Sequence, residues 1–267
     1  MRLARFLGPT TAGRPKGARY GQVEDSPGRV EGDRVREIRG SIYRAYQLTG
    51  VVYPLSGVKL LAPCEPPKML AVGLNYKSHL EDRPATVVPE MFFKATSSII
   101  GQGDSIILPR RSRRVDYEGE MVVVMKRRCR NVARRTALSY VLGYTCGNDV
   151  SARDWQARDR HLWRAKSADT FSPFGPWIET DIDPGDLRLI TRLNGAVVQD
   201  TRTSLMMHDV PTIISWVSQV LTLEPGDVIF TGTSGATKPM SPGDVVEVEL
   251  EKVGTLRNPV VAQGSKR

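Results

Sequence analysis

Two glutamates separated by one glycine are the residues best suited to chemistry in this sequence. Glu118 and Glu120 stand in residues 115–125, a segment whose second half is apolar and β-branched. Alternate side chains of a strand face the same side, so both carboxylates are expected to project to one point. Two buried carboxylates side by side are costly unless a cation neutralises them. The alternative reading is an edge strand with two solvated glutamates paired to nearby arginines.

A third carboxylate follows the next apolar segment, residues 139–147. Asp149 lies where that predicted strand gives way to a predicted helix, and Ser151 with Asp154 has the spacing of a capping box at the helix start. Three carboxylates form an oxygen-only ligand set. Such a set favours Mg²⁺ or Mn²⁺, with Ca²⁺ as a further candidate, over zinc.

Polar and cationic side chains follow this predicted centre along the chain. Arg153 and Gln156 are three residues apart on the predicted helix and therefore share a face. Lys166 comes next in the sequence. Cationic and amide groups beside a hard metal ion are suited to an anionic, oxygen-rich ligand.

The segments that must position these side chains differ in composition along the chain. The first sixty residues are rich in Gly, Pro and charge and predict a small strand-rich unit, and the Pro-containing steps of residues 58–67 resemble a linker. Residues 68–74 then predict a buried strand, and residues 75–82 a short helix that must stop before Pro84. We therefore predict two domains, residues 1–62 and 63–267.

Composition excludes several classes of protein. Of 267 residues, 40% are hydrophobic and 25% charged, which is ordinary for a globular protein. No apolar stretch approaches the roughly 20 residues of a membrane span, and no apolar region of a secretory signal follows the N-terminus. Cys64, Cys129 and Cys146 are odd in number and lack the CxxC spacing, which argues against a disulfide framework or a structural zinc site. A cytoplasmic protein is expected.

The net charge of +9 is concentrated in two arginine-rich runs, residues 110–114 and 126–135. One interpretation is a non-catalytic protein that binds nucleic acid through these runs. The other is two solvated loops with a general attraction for anionic metabolites. No interleaved aromatic residues or nucleic-acid motif accompany the arginines, so the second interpretation is favoured.

Several motifs occur in a fixed order along residues 69–258. They are Gly73-Leu74-Asn75-Tyr76 with His79, Phe92-Phe93-Lys94, Asp116-Tyr117-Glu118-Gly119-Glu120, Asn148-Asp149-Val150-Ser151-Ala152-Arg153, Lys166-Ser167 with Asp169-Thr170-Phe171, and Leu223-Glu224-Pro225-Gly226-Asp227. In this order the sequence resembles the fumarylacetoacetate hydrolase superfamily, in its bacterial acylpyruvase and hydrolase-domain-containing branch.

The resemblance implies a fold and a set of site residues. The fold would be α+β and β-rich, a rolled mixed β-sheet with flanking helices and a small N-terminal β-rich domain, assembled as a homodimer. The metal ligands for Mg²⁺ or Mn²⁺ would be Glu118, Glu120 and Asp149. The residues that bind a keto-acid substrate would be Lys94, Arg153, Gln156, Lys166 and Thr233.

The resemblance also implies the activity. Members cleave a carbon–carbon bond in β-diketo acids, and others decarboxylate oxaloacetate or isomerise or hydrate 2-keto acids. We therefore expect a metal-dependent hydrolase of an acylpyruvate or a fumarylacetoacetate-like acid, with the other two reactions as alternatives.

A base that activates water is the remaining requirement, and His79 is the candidate because histidine accepts a proton near neutral pH. In relatives a glutamate three residues later works with this histidine. Asp82 stands there in this chain, and Glu81, one residue earlier, would point about 100° away around a helix. The predicted catalytic residues are therefore His79, Asp82, Glu81 and Lys166.

Overall fold

The computed structural model describes residues 1–9, 17–25, 33–80 and 82–264. Strands make up most of the regular structure: β1 (Arg2–Leu7), β2 (Ala18–Glu24), β3 (Arg34–Gly40), β4 (Tyr46–Pro54), β5 (Lys59–Leu60), β6 (Met69–Gly73), β7 (Glu90–Lys94), β8 (Ile99–Ile100), β9 (Ile106–Leu108), β10 (Val115–Asp116), β11 (Gly119–Met125), β12 (Val141–Asn148), β13 (Ser151–Ala152), β14 (Ser172–Glu179), β15 (Arg188–Leu193), β16 (Ala196–Arg202), β17 (Val228–Phe230), β18 (Val245–Leu250) and β19 (Gly254–Ala262).

Helices are short by comparison. The α-helices are α1 (Arg153–Gln156), α2 (Trp163–Ser167) and α3 (Val210–Val220), and 3₁₀ helices lie at Leu55–Gly57, Lys77–His79, Thr96–Ser98, Arg134–Tyr140, Pro184–Asp186 and Thr203–Leu205. Within the described ranges, none of them has the length and apolar character that crossing a membrane requires.

Most strands join one long mixed sheet. Its order is β4-β3-β2-β1-β14-β12-β11-β17-β6-β7, in which β17 and β6 run parallel and the other neighbours run antiparallel. A second sheet has the order β16-β15-β18-β19-β9, with β19 and β9 parallel. The mixed pairing and the small share of helix confirm the predicted α+β, β-rich fold with a rolled mixed sheet.

The N-terminal strands continue the main sheet. Strand β1 pairs with β14 through Arg2 opposite Glu179 and Leu3 opposite Ile178, and β2 to β4 add to it in a meander. This part also has its own small apolar cluster, in which the rings of Phe6 and Tyr53 meet edge to face at 5.6 Å. The predicted domain boundary at residue 62 stays a prediction.

Strand β11 crosses the centre of the molecule and is buried on both faces. Met121, Val123 and Met125 pack into the larger apolar cluster, while Val122 and Val124 pack into the cluster on the other face. Both sets follow from the two-residue period of a strand, since alternate side chains take opposite faces. Every residue of this strand therefore has a fixed orientation, including Glu120 near its start.

Gly119, between the two glutamates, has no room for a side chain. A Cβ added there would lie 1.9 Å from the hydroxyl oxygen of Thr191 on β15, so the strand or its neighbour would have to move. We expect Gly119→Ala to lower the free energy of unfolding by about 1–3 kcal/mol, measured by urea denaturation. Gly50→Ala on β4 is the matched control, because a Cβ there meets nothing within 4 Å. Equal losses in the two variants would contradict the steric argument.

Candidate metal centre

Glu118 lies in a break between two strands, where the sequence predicts one continuous strand. Strand β10 ends at Asp116 and β11 begins at Gly119. The side-chain oxygen of Asn148 accepts a hydrogen bond from the Glu118 amide at 2.9 Å, and the Glu118 carbonyl accepts one from the Asp149 amide at 2.9 Å. These bonds hold the break against the end of β12. They bring Glu118 and Asp149 together although the two residues are far apart in sequence.

The three predicted metal ligands form one buried cluster. Glu118, Glu120 and Asp149 are 3%, 1% and 1% exposed, and one carboxylate oxygen from each lies within 4.8 Å of the others. The prediction that folding brings these three carboxylates together is confirmed.

Two lysines neutralise part of this cluster. The Lys166 ammonium donates to Glu118 and, at 2.7 Å, to Asp149. The Lys94 ammonium also donates to Asp149 and to the carbonyl oxygens of Lys166 and Phe171. Burial acts to lower the pKa of Lys166, but the charges of Asp149 and Glu118 outweigh it and raise that pKa. Asp149 is therefore held by two ammonium groups.

Arg153 links the cluster to a further buried acid. Its guanidinium donates to Glu118, to Asp116 at 3.2 Å and to the side-chain oxygen of Gln156 at 2.8 Å, which confirms that Arg153 and Gln156 share a face. Burial acts to raise the pKa of Glu118, but Arg153 and then Lys166 hold it well below its usual range. Glu118 is therefore ionised at neutral pH.

Glu120 is the member of the cluster that lacks a cationic neighbour in hydrogen-bond contact within the described residues. Its carboxylate accepts a hydrogen bond from the Gly232 amide at 2.7 Å. Burial, followed by the charges of Asp149 and Glu118, raises the pKa of Glu120 well above its usual range. A buried oxygen-only set in which one carboxylate has no cationic contact among the described residues fits a hard divalent cation, which would stabilise the ionised form of Glu120.

Asp116 was missed from the sequence as a site residue. It is fully buried and accepts hydrogen bonds from the guanidinium groups of Arg114 and Arg153 and from the Thr237 hydroxyl. It therefore fixes the orientation of Arg153. The two-residue spacing of Asp116, Glu118 and Glu120 in the sequence could have indicated that Asp116 belongs to the site.

The predicted capping box was wrong. Helix α1 begins after Ala152, which makes no side-chain cap, and Ser151 belongs to β13, where it pairs with Asp116. The hydroxyl of Ser151 donates to the carbonyl of Asp149 at 2.8 Å instead. Asp154 accepts a hydrogen bond from the Ser112 hydroxyl at 2.6 Å. Strand pairing with β10 thus removed Ser151 from the cap position.

A cavity of about 820 Å³ opens onto the cluster. The predicted substrate-binding residues that line it are Arg153, Gln156, Lys166 and Thr233. Lys94 is buried behind Asp149, in contact with Asp149 and main-chain oxygens. Their contacts with substrate stay predictions.

His79 lines the same cavity at the end of a short 3₁₀ helix. Its Nδ1 lies 2.6 Å from the carbonyl oxygen of Gly235, and its Nε2 lies 3.8 Å from a carboxylate oxygen of Glu118. A carbonyl oxygen only accepts hydrogen bonds, so Nδ1 carries the proton. The lone pair of the neutral ring is then on Nε2, the nitrogen nearer the acidic cluster.

The predicted partners of His79 are Asp82 and Glu81. Asp82 is exposed at the cavity, and within the described ranges it forms no ion pair with His79. Glu81 lies outside the described residues. The roles of both residues stay predictions.

Several arginines of the two basic runs pair within the protein. These contacts are Arg114 with Asp116, Arg128 with Glu224, Arg134 with Asp209, and Arg127 over the ring of Tyr140 at 4.1 Å. Part of the positive charge that suggested a nucleic-acid surface is therefore neutralised or stacked internally.

Comparison with known families matches both parts of the chain. Residues 68–261 match the family described as fumarylacetoacetate (FAA) hydrolase, C-terminal, and residues 1–63 match the family described as Rv2993c-like, N-terminal.

Similar proteins include two curated relatives and one solved structure. Protein Rv2993c of Mycobacterium tuberculosis is 43% identical over 270 residues, covering 99% of each chain. A rat (Rattus norvegicus) mitochondrial protein named oxaloacetate tautomerase Fahd2a is 41% identical over 222 residues, covering 78% of this chain and 71% of the relative. A crystal structure of a 2-hydroxyhepta-2,4-diene-1,7-dioate isomerase from Mycobacterium marinum has a TM-score of 0.89 and 43% identity, covering 99% of this chain and 100% of that one.

Proposed function

Because the chain belongs to the fumarylacetoacetate hydrolase family, we propose that it is a divalent-metal-dependent enzyme that cleaves a carbon–carbon bond in a β-diketo acid. The substrate would be an acylpyruvate or a fumarylacetoacetate-like acid, and the ion Mg²⁺ or Mn²⁺. The observation that carries the proposal is the buried triad of Glu118, Glu120 and Asp149 at a cavity of substrate size.

The charges around the triad support an anionic substrate. Among the described residues, the network around the triad contains as many cationic as acidic side chains: Lys94, Arg114, Arg153 and Lys166 against Asp116, Glu118, Glu120 and Asp149. A divalent cation would leave this network with two surplus positive charges. A 2-keto acid brings one negative charge as its carboxylate and a second when its enolate forms. The surplus therefore favours the enolate over the ground state, which is the condition for catalysis.

A cation bound by the triad would supply Lewis acidity to the oxygens of a 2-keto acid. Side chains of the protein would bind and orient the substrate. Arg153 and Lys166 bind and orient the anionic end of the substrate, and Gln156, held by Arg153, offers its amide group to the same cavity.

His79 is the proposed base. Its Nε2 removes a proton from water, the water oxygen bonds to the distal carbonyl carbon, and the carbon–carbon bond then breaks. The electron pair of that bond passes into the enolate, whose carbon takes the proton that His79 removed from water. An acylpyruvate yields a carboxylic acid and a 2-keto acid, and a fumarylacetoacetate-like acid yields a carboxylic acid and a 3-keto acid. The hydrogen bond from Nδ1 to Gly235 keeps the lone pair on Nε2 until that nitrogen takes the proton.

Keto–enol tautomerisation of a 2-keto acid is the second candidate. In the described part of the chain, Nδ1 bonds to the Gly235 carbonyl, which orients the ring and leaves Nε2 free to take a proton from carbon as well as from water. Tautomerisation transfers a proton between carbon and oxygen without activating water, so it needs a less effective base than hydrolysis does. The name of the rat relative also supports this reaction on oxaloacetate.

A panel assay separates the two candidates. Acetylpyruvate, fumarylpyruvate and oxaloacetate are each incubated with Mg²⁺, Mn²⁺ or EDTA, and hydrolysis is followed by loss of diketo absorbance and tautomerisation by loss of enol absorbance. We expect metal-dependent hydrolysis of the diketo acids. Turnover of oxaloacetate enol alone would select the second candidate. Turnover that persists undiminished after thorough chelation would reject both.

The family resemblance also supports a homodimer, which light scattering would test. The buried, unpaired state of Cys64, Cys129 and Cys146 supports a reducing compartment such as the cytoplasm.

A further inference from the structure

One wall of the cavity is a loop between two neighbouring strands. Strands β6 and β7 pair antiparallel, with Gly73 opposite Glu90, so the chain leaves the sheet and returns to its starting point. We call residues 77–80 and 82–88 of this loop the wall segment. It carries His79, Asp82 and Arg83, all of which line the cavity.

The first half of the wall segment is well fixed. The Gly235 amide donates to the Ser78 hydroxyl at 3.0 Å, and the ring of His79 donates to the Gly235 carbonyl. Just before it, the buried side chain of Asn75 exchanges two hydrogen bonds with the main chain of His208, at 2.8 and 2.9 Å. Position 208 is thereby held rigidly beside the loop.

Fewer contacts fix the second half of the wall segment, residues 82–88. Its side chains at Val87 and Val88 are exposed, and Arg83 donates to carbonyls inside the segment itself, those of Leu80 and His79. In the described residues 82–88, one side-chain hydrogen bond reaches outside the segment. It joins the hydroxyl of Thr86 to Nε2 of His208 at 3.1 Å.

We propose that His208 is a positioning residue whose ring holds Thr86, and through it the half of the wall that carries Asp82 and Arg83, against the cavity. His208 is 8% exposed and is not among the residues that line the cavity. Its ring therefore reaches the substrate through the wall segment and not by direct contact. Its effect on turnover rests on the proposed function, whereas its effect on the loop does not.

Four variants test the contact directly. Thr86→Val removes the hydroxyl and keeps the shape, and His208→Phe removes the ring nitrogen and keeps a ring. Thr86→Ser keeps the hydroxyl, and His208→Gln keeps a side-chain amide close to the position of Nε2. Thr136→Val, on the exposed surface of the Arg134–Tyr140 helix, is the control for the Thr→Val change.

Amide hydrogen exchange of the wall segment is the first measurement. We expect exchange to rise roughly fivefold in Thr86→Val and His208→Phe, the size expected for one lost hydrogen bond, and to stay near wild type in the other three. Equal exchange in Thr86→Val and Thr86→Ser would overturn the proposal. So would faster exchange throughout the molecule in His208→Phe, since that would indicate a general packing role.

Turnover is the second measurement, on whichever acid of the panel the wild type converts. We expect kcat to fall about fivefold in Thr86→Val and to recover in Thr86→Ser, with the affinity for Mn²⁺ unchanged. Loss of Mn²⁺ affinity in Thr86→Val would contradict an effect confined to the wall. A wild type that converts no acid of the panel would count against the proposed function, and hydrogen exchange would still decide the role of His208.

Discussion

Replacing Glu120 by glutamine is expected to lower kcat/KM about a thousandfold on any acid that the wild type converts. Glutamine keeps the shape of the side chain and can still accept the hydrogen bond from Gly232. It removes the one carboxylate of the triad that lacks a cationic contact among the described residues, and therefore the charge most available to a divalent ion. A thousandfold loss corresponds to about 4 kcal/mol, a size that loss of a Lewis acid readily explains.

Glu249→Gln is the matched control for this variant. Glu249 lies on β18, pairs with Arg192 and is absent from the cavity lining, so its activity should stay within about twofold of wild type. Steady-state assays at saturating Mn²⁺ make the comparison. If Glu120→Gln retained more than about a tenth of wild-type activity, Glu120 would not be a ligand of the catalytic ion.

Addition of Mn²⁺ or Mg²⁺ is expected to raise the melting temperature of the metal-free protein by roughly 5–10 °C. Binding to the folded state at one hundred times Kd contributes about 2.7 kcal/mol, and about 1 kcal/mol shifts the melting temperature of a protein of this size by roughly 2–4 °C. Asp149→Asn should lose this gain, because it replaces one of the three predicted carboxylate ligands by a neutral amide and removes the charge partner of Lys94 and Lys166.

The rise in melting temperature is measured for each protein as the difference between samples with and without metal. Asp149→Asn is expected to melt lower than wild type even in EDTA, since two buried ammonium groups lose their shared carboxylate. Asp200→Asn is the control, because Asp200 pairs with Arg188 at the surface and should leave the gain intact. A wild type that melts at the same temperature with Mn²⁺, Mg²⁺ and EDTA would remove the metal centre from the proposal.

The acidic triad could be predicted because its signals are local. Alternation places Glu118 and Glu120 together, and the end of an apolar strand marks Asp149. Folding adds that β11 and β12 are neighbours with Gly119 opposite Asn148, which sets the ends of the two segments side by side. The break at Glu118 could not be predicted, since it depends on the side chain of Asn148, which takes up the amide that a strand partner would otherwise hold.

The contacts across the cavity were beyond sequence reasoning for a different reason. His79 meets Gly235, and Thr86 meets His208, over separations of 156 and 122 residues. No periodicity links such pairs. Lys94 is a related case: its position at the end of β7 is readable as a strand end, but its burial behind Asp149 depends on how β7 and α2 meet.

The pairing of β1 with β14 has a consequence for any shortened form of this protein. Strand β14 is flanked by β12 on one side and by β1 on the other, so removing the first sixty residues would expose the main chain of β14 at Ile178 and Glu179, where β1 now pairs. Ile178 and Leu142, which share an apolar cluster with Leu3, would lose part of their cover. An unpaired edge strand can pair with a strand of another molecule. The truncated protein would therefore be prone to self-association unless a new segment or a charged substitution protected that edge.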